Sequence, residues 1–243
     1  MMKLTILGMN GPFPAPGGAT SGYLVKAGST ALMLDMGSGT LQRLTGCMPP
    51  EELTALVLSH WHYDHCSDVL PLIYRMESHV ASGGAPLHVY APVEEGSLVR
   101  QAVKTCQAMI LHDVQPGDTL ALGEVTVAAF AGRHPVPALM YRLESDGRTL
   151  CYTGDTNTVE GLADFASGAD LLLADGLFTD ALWAAGKPHL SASLAAKLAA
   201  EAGAGKLVIT HLNPAIDPET LLREARAIRT DSLLARIGDR YEV

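Results

Sequence analysis

Residues 59 to 65 read Ser-His-Trp-His-Tyr-Asp-His, directly after the apolar run Leu56-Val57-Leu58. No other stretch restricts the fold as much. Three of the nine histidines, His60, His62 and His65, fall within six consecutive positions, with Asp64 among them. Imidazole nitrogen and carboxylate oxygen are what a zinc-type ion takes when no thiolate is offered, and ligands crowded into one loop reduce the entropy cost of assembling them. Ala55 to Ser59 reads as a strand and Asp64 to Ser78 as a helix. The cluster then lies where the carboxyl end of a strand meets a helix start, the usual place for a site in a layered α/β fold.

The rest of the chain repeats that arrangement. Strands are expected at Lys3 to Leu7, Tyr23 to Lys26, Thr30 to Leu34, Leu87 to Tyr90, Val125 to Ala131, Leu139 to Glu144, Thr149 to Thr153, Leu171 to Asp175 and Leu207 to Thr210. His134 follows the strand at 125–131, Asp155 the one at 149–153, and His211 the last. Short helical segments are expected at 40–44 and 51–54. Longer helices are expected at 93–107, with Leu98, Val99, Ala102, Val103 and Cys106 on one face, and at 191–202, where Ser191 is a cap. Asp35, at a strand end, either orients a metal-bound histidine or caps a turn. His79, His88 and His112 join no motif and read as ordinary surface or core histidines.

Composition narrows the setting. A chain of 243 residues with 48% hydrophobic side chains can bury a large core and leaves apolar surface for a homodimer interface. A formal net charge of -9 repels polyanions, so long RNA is not an expected partner. Cys47, Cys66, Cys106 and Cys151 form no Cys-x-x-Cys pair, and no apolar run reaches membrane-spanning length, which points to a reduced, cytoplasmic protein.

His60-x-His62-x-Asp64-His65 followed in order by His134, Asp155 and His211 resembles the metallo-β-lactamase superfamily across nearly the whole chain. The resemblance implies one domain over residues 1–243, a four-layer αβ/βα sandwich whose two halves divide near 115–125. It implies a dinuclear site for two divalent ions, zinc foremost, with manganese or iron also accommodated. His60, His62 and His134 would hold one ion and Asp64, His65 and His211 the other, with Asp155 between them. Within the superfamily, Asp35-x-Gly37-x-Gly39-Thr40, the segment Ala169 to Asp175, and His189-Leu190-Ser191 resemble the ribonuclease Z and phosphodiesterase branch. That resemblance gives proton transfer to Asp175 and His189, so the catalytic set would be Asp64, His189 and Asp175. Asp175 stands where those relatives carry glutamate.

A second departure concerns substrate size. Transfer-RNA processing members insert a long RNA-clamping arm between the positions matching His134 and Asp155, where this chain has only Pro135 to Gly154. The expected activity is therefore hydrolysis of a small phosphodiester, cyclic or nucleotide-like, with water activated at the two-metal centre. A lactone or thioester hydrolase, a ribonuclease Z-like 3′-processing nuclease and a non-catalytic metal-binding protein are the alternatives. Trp61 and Trp183 are candidates for stacking on a substrate ring, or for packing.

Overall fold

The computed structural model describes all 243 residues, Met1 to Val243. The first sheet contains β1 (Met2–Gly8), β2 (Gly22–Ala27), β3 (Thr30–Leu34), β4 (Ala55–Val57), β5 (Leu87–Pro92) and β6 (Met109–Val114). The second contains β7 (Thr119–Leu122), β8 (Val125–Ala131), β9 (Leu139–Ser145), β10 (Arg148–Tyr152), β11 (Leu171–Asp175), β12 (Lys206–Thr210) and β13 (Leu233–Leu234). A last strand, β14 (Arg240–Glu242), returns to the first sheet beside β1. Both sheets are seven-stranded and mixed, in the orders β14-β1-β2-β3-β4-β5-β6 and β13-β12-β11-β10-β9-β8-β7. The chain passes from one sheet to the other between Val114 and Thr119.

Strand alternation makes the layers. Leu4, Ile6, Val25, Leu32 and Val57 from the first sheet meet Val127, Tyr141, Leu143, Leu150, Leu171 and Val208 from the second in one dry interior. The opposite face of the first sheet, with Met33, Leu56 and Val89, packs on α1 (Thr40–Thr45), α3 (Val69–Ala81) and α4 (Leu98–Thr105). Leu172, Leu207 and Ile209 on the outer face of the second sheet pack on α5 (Leu162–Ala166), α6 (Ala192–Glu201) and α7 (Pro218–Arg226). The result is the expected αβ/βα sandwich.

Two helices differ from the sequence reading. The span 64–78 is broken into α2 (Tyr63–Cys66) and α3 because main chain from residue 36 enters the gap. Met36 N–H donates to the His65 carbonyl at 2.7 Å, and the Met36 carbonyl accepts from Asp68 N–H at 3.0 Å. Pro71, with no N–H of its own, could not have continued the ladder back to Ser67. The span 93–107 contracts to α4, started by the Ser97 hydroxyl, which accepts from Arg100 N–H at 3.2 Å. Its buried face is Val99 and Val103, while Leu98 is 72% exposed. Strands β6, β7, β13 and β14 and helices α5 and α7 were not anticipated.

Strands β3 to β6 are mutually parallel, as are β10 to β13, and β8 runs parallel to β10 through the antiparallel β9. Their carboxyl ends therefore open at one rim. Asp35, His60, His134, Asp155, Asp175 and His211 all leave strands there. The two sheets are stitched together at that rim by Leu139 N–H on the Ser59 carbonyl at 2.9 Å and the Tyr141 hydroxyl on the Leu58 carbonyl at 2.8 Å.

Candidate metal centre

The loop after β4 turns sharply enough to face three histidines and one aspartate inward. His60 Nε2 and His134 Nε2 each lie 3.0 Å from His62 Nδ1, and they stand 3.6 and 3.9 Å from Asp155 Oδ2. A second quartet adjoins the first. His65 Nε2 is 3.7 Å from Asp64 Oδ2 and 3.1 Å from Asp155 Oδ1, while His211 Nε2 is 3.2 Å from Asp64 Oδ2. Asp155, 2% exposed, belongs to both. All seven residues singled out from the sequence thus meet at one place, in the grouping the resemblance implied.

The donor atoms fit divalent ions. An ion bonded tetrahedrally at about 2.0 to 2.1 Å holds its ligand atoms about 3.3 Å apart, and the separations within the two quartets, from 3.0 to 3.9 Å, lie around that value. His65 Nε2, Asp155 Oδ1 and His211 Nδ1 are buried without a hydrogen-bond partner. They nevertheless approach closely: His211 Nδ1 is 2.6 Å from Asp155 Oδ1, unaligned as a hydrogen bond. Buried polar atoms are rarely left unsatisfied without reason, and crowded, unaligned nitrogen and oxygen atoms are what ligands of a shared ion look like. The clusters fit a dinuclear metal site.

Charge is arranged to match. Burial, followed by the charge of His65, holds His60 well below the usual imidazole range, and burial also lowers His134, so both stay neutral ligands. At His65 burial acts downward, but Asp155, Asp64 and Asp35 outweigh it and raise the imidazole well above its ordinary value. Three carboxylates around one buried ring make a pocket that favours positive charge.

Asp35 does the orienting that its position left open. It is wholly buried, and its carboxylate accepts from Ser59 N–H at 2.6 Å, the Ser59 hydroxyl at 2.7 Å, the Tyr152 hydroxyl at 2.5 Å and His65 Nδ1 at 2.8 Å. A ring that donates through Nδ1 presents Nε2 to the ion. Asp35 and His211 both take left-handed backbone, with φ of 53° and 57°. Such strain in non-glycine residues collects where surrounding structure over-determines a site.

His189 and Asp175 stand beside the two quartets. His189 Nδ1 lies 2.8 Å from Asp175 Oδ2 and 3.8 Å from Asp155 Oδ2, so the shorter aspartate does reach its histidine. The Asp175 carboxylate is itself fixed by Leu177 N–H at 3.1 Å and Thr156 N–H at 3.3 Å. Burial works against charge on His189, but the charge and hydrogen bond of Asp175, with Asp155 behind them, push it up to about 9. With Asp155 and His211, the pair makes a third set of donors within 4.8 Å of one another. The direct bond to Asp175 commits His189 Nδ1 to the carboxylate instead.

Neighbouring side chains hold the loops. The Ser59 hydroxyl bridges Asp35 and His60 Nδ1, the latter at 3.0 Å. The Cys66 thiol, pushed up by burial, donates to the Trp61 and His62 carbonyls and is no ligand. Trp61 is 2% exposed with its N–H on the Pro92 carbonyl, and the Trp183 N–H is spent on the His189 carbonyl and the Asn157 side chain. His88 and His112 pair with each other at 2.8 Å, away from the centre.

Residues 32–212 match the model of the beta-lactamase superfamily domain. The chain belongs to the metallo-β-lactamase superfamily. It is 34% identical over 232 residues to the probable metallo-hydrolase YhfI of Bacillus subtilis, covering 93% of both chains. It superposes on the solved structure of that protein with a TM-score of 0.92 over 100% of this chain and 99% of the other. A ribonuclease Z of Mycobacterium bovis is 30% identical over 247 residues, with 90% of this chain and 88% of that protein covered. A diphosphatase of the PhnP family shares the fold at a TM-score of 0.77 and 18% identity, over 100% and 98% of the two chains. This metallo-β-lactamase-fold protein has the buried donor set of a metal-dependent hydrolase. No helix in it is long and apolar enough to cross a membrane.

Proposed function

We propose that the chain hydrolyses a small phosphodiester, with His60, His62 and His134 holding one divalent ion, Asp64, His65 and His211 a second, and Asp155 serving both. Zinc suits a set of five imidazoles and two carboxylates without thiolate. When bound, two such ions supply hydroxide at neutral pH and positive charge opposite the phosphoryl oxygen. Asp35 keeps His65 turned toward its ion, and Pro188 does the same for His134 by accepting from Nδ1 at 3.2 Å.

The observation that carries the reading is the His189–Asp175 pair. A thiolate leaving a thioester departs without a proton, whereas an alkoxide leaving a phosphate gains from a placed one. His189 has its Nδ1 2.8 Å from a buried carboxylate, which raises the imidazole above its ordinary range and leaves its other nitrogen set to give that proton. Asp175 holds the imidazolium in orientation. The short β9–β10 hairpin, turned by Asp146 and Gly147 with φ of 51° and 69°, takes up the connection from His134 to Asp155 and leaves no clamping arm for long RNA.

The test is His189→Ala against two substrates of unlike leaving group. Metal content should persist. Turnover of a methyl or nucleoside ester of phosphate should fall by about 100- to 10,000-fold, and that of a p-nitrophenyl ester far less, since p-nitrophenolate needs no proton. Equal losses on both substrates would remove the acid role. Greater wild-type turnover of lactones or thioesters would assign the site to acyl chemistry.

A further inference from the structure

Asn157 lies two residues beyond Asp155 and is fully buried. Its amide uses both of its donors and both of its acceptor positions. Nδ2 donates to the carbonyls of Ala184, at 3.3 Å, and Lys187. Oδ1 accepts from Thr158 N–H at 2.6 Å and Trp183 Nε1 at 3.3 Å. The clasped segment carries Pro188 and His189 at its end, and it has no strand or helix of its own from Thr179 to Pro188. Within it the main chain makes only turn bonds, such as Lys187 N–H on the Ala184 carbonyl at 2.9 Å.

Two groups of the centre depend on where that segment lies. His134 Nδ1 has the Pro188 carbonyl as its partner at 3.2 Å, and His189 shares its own carbonyl with the Trp183 indole at 3.1 Å. Arg133 Nη2 adds a bond to the Ala185 carbonyl at 3.0 Å, but from a largely solvated side chain, so the buried amide is the principal tie. We propose that Asn157 is a positioning residue that, by clasping residues 184 to 187, sets the Pro188 carbonyl that orients His134 and the loop that presents His189. The inference rests on His134 being a ligand and His189 a proton donor, as proposed above.

Asn157→Ala removes the clasp, and Asn157→Asp, isosteric, keeps the acceptor for Trp183 and Thr158 while turning an acceptor toward two carbonyls. Zinc affinity is measured by competition with a chromophoric chelator. Loop placement is read from tryptophan emission, because Trp61 is sealed in the core and Trp183 alone touches the amide. Groups that orient a ligand histidine typically contribute about 10- to 100-fold in metal affinity. Either variant should therefore bind zinc at least about tenfold more weakly at one site, with shifted Trp183 emission, and lose the poor leaving group more than the good one. If the folded variants show a lower melting temperature but wild-type zinc affinity and emission, the amide is merely structural and the proposal fails. A wild-type protein that binds two zinc ions yet cleaves no phosphodiester would overturn the proposed substrate, while zinc affinity and emission still decide the role of Asn157.

Discussion

Replacing Gly11 with Ala adds one methyl group where His211 leaves no room for it. The new Cβ would fall 1.4 Å from His211 Cδ2 and 1.6 Å from Nε2. Carbon atoms pack at about 3.5 Å, so ring and methyl must separate by about 2 Å. Gly11 has little freedom to retreat, because its N–H is held by the Leu212 carbonyl at 3.1 Å and the neighbouring Asn10 N–H by the Ala19 carbonyl at 3.0 Å. The ring moves instead. Metal–nitrogen bonds tolerate departures of about 0.2 Å, a tenth of that displacement, so His211 would cease to be a ligand. The backbone at Gly11 lies outside the left-handed region, and the cost to folding is that of overpacking alone, about 1–3 kcal/mol. Plasma mass spectrometry of protein equilibrated in buffered zinc should find about one ion per folded chain, against an expected two in the wild type. A folded Gly11→Ala protein retaining both ions at wild-type affinity would refute the reasoning.

Two further outcomes follow from the buried charges. Asp35→Asn substitutes an amide for a carboxylate that accepts four hydrogen bonds, and should cost the metal-free protein about 3 to 5 kcal/mol in urea denaturation; unchanged stability would show that the network contributes nothing. In the metal-free protein His189 is held near 9, above the unfolded value of about 6.5. Its stabilisation is therefore complete below about pH 6.5 and is lost as pH rises through 9, with His65 contributing in the same sense. Unfolding free energy of chelated protein should decline over that interval, and less steeply in Asp175→Asn; a flat wild-type profile would contradict the pairing.

Four of the candidate ligands are legible because each follows a short apolar run: β4, β8, β10 and β12 lead to His60, His134, Asp155 and His211 with at most two residues between. The runs of β4, β10 and β12 are almost wholly buried on both faces and β8 alternates buried with exposed side chains, so either pattern is read without knowledge of the partner strand. What the sequence did not disclose depends on distant chain. The break between α2 and α3 is made by the backbone of Met36, and the one local sign of it is Pro71, which cannot donate back to Ser67. Strand β14 is three residues long and exists because β1 offers it an edge. Helix α7 is different, since Asp217-Pro218-Glu219 is itself a local start signal. Asp175 and His189, 14 positions apart, are paired in the sequence only through the resemblance, and Asn157 finds its partners 27 and 30 residues away. Side chains that serve carbonyls so far along the chain have no periodicity to betray them.

The central claim is a pair of ions shared through Asp155. It is tested most directly by anomalous scattering from crystals of the zinc-loaded protein, recorded on both sides of the zinc edge. Two peaks per chain are expected, one bonded by His60, His62 and His134 and the other by Asp64, His65 and His211, with Asp155 touching both. A single peak, or two whose ligands include His189 in place of His211, would contradict it.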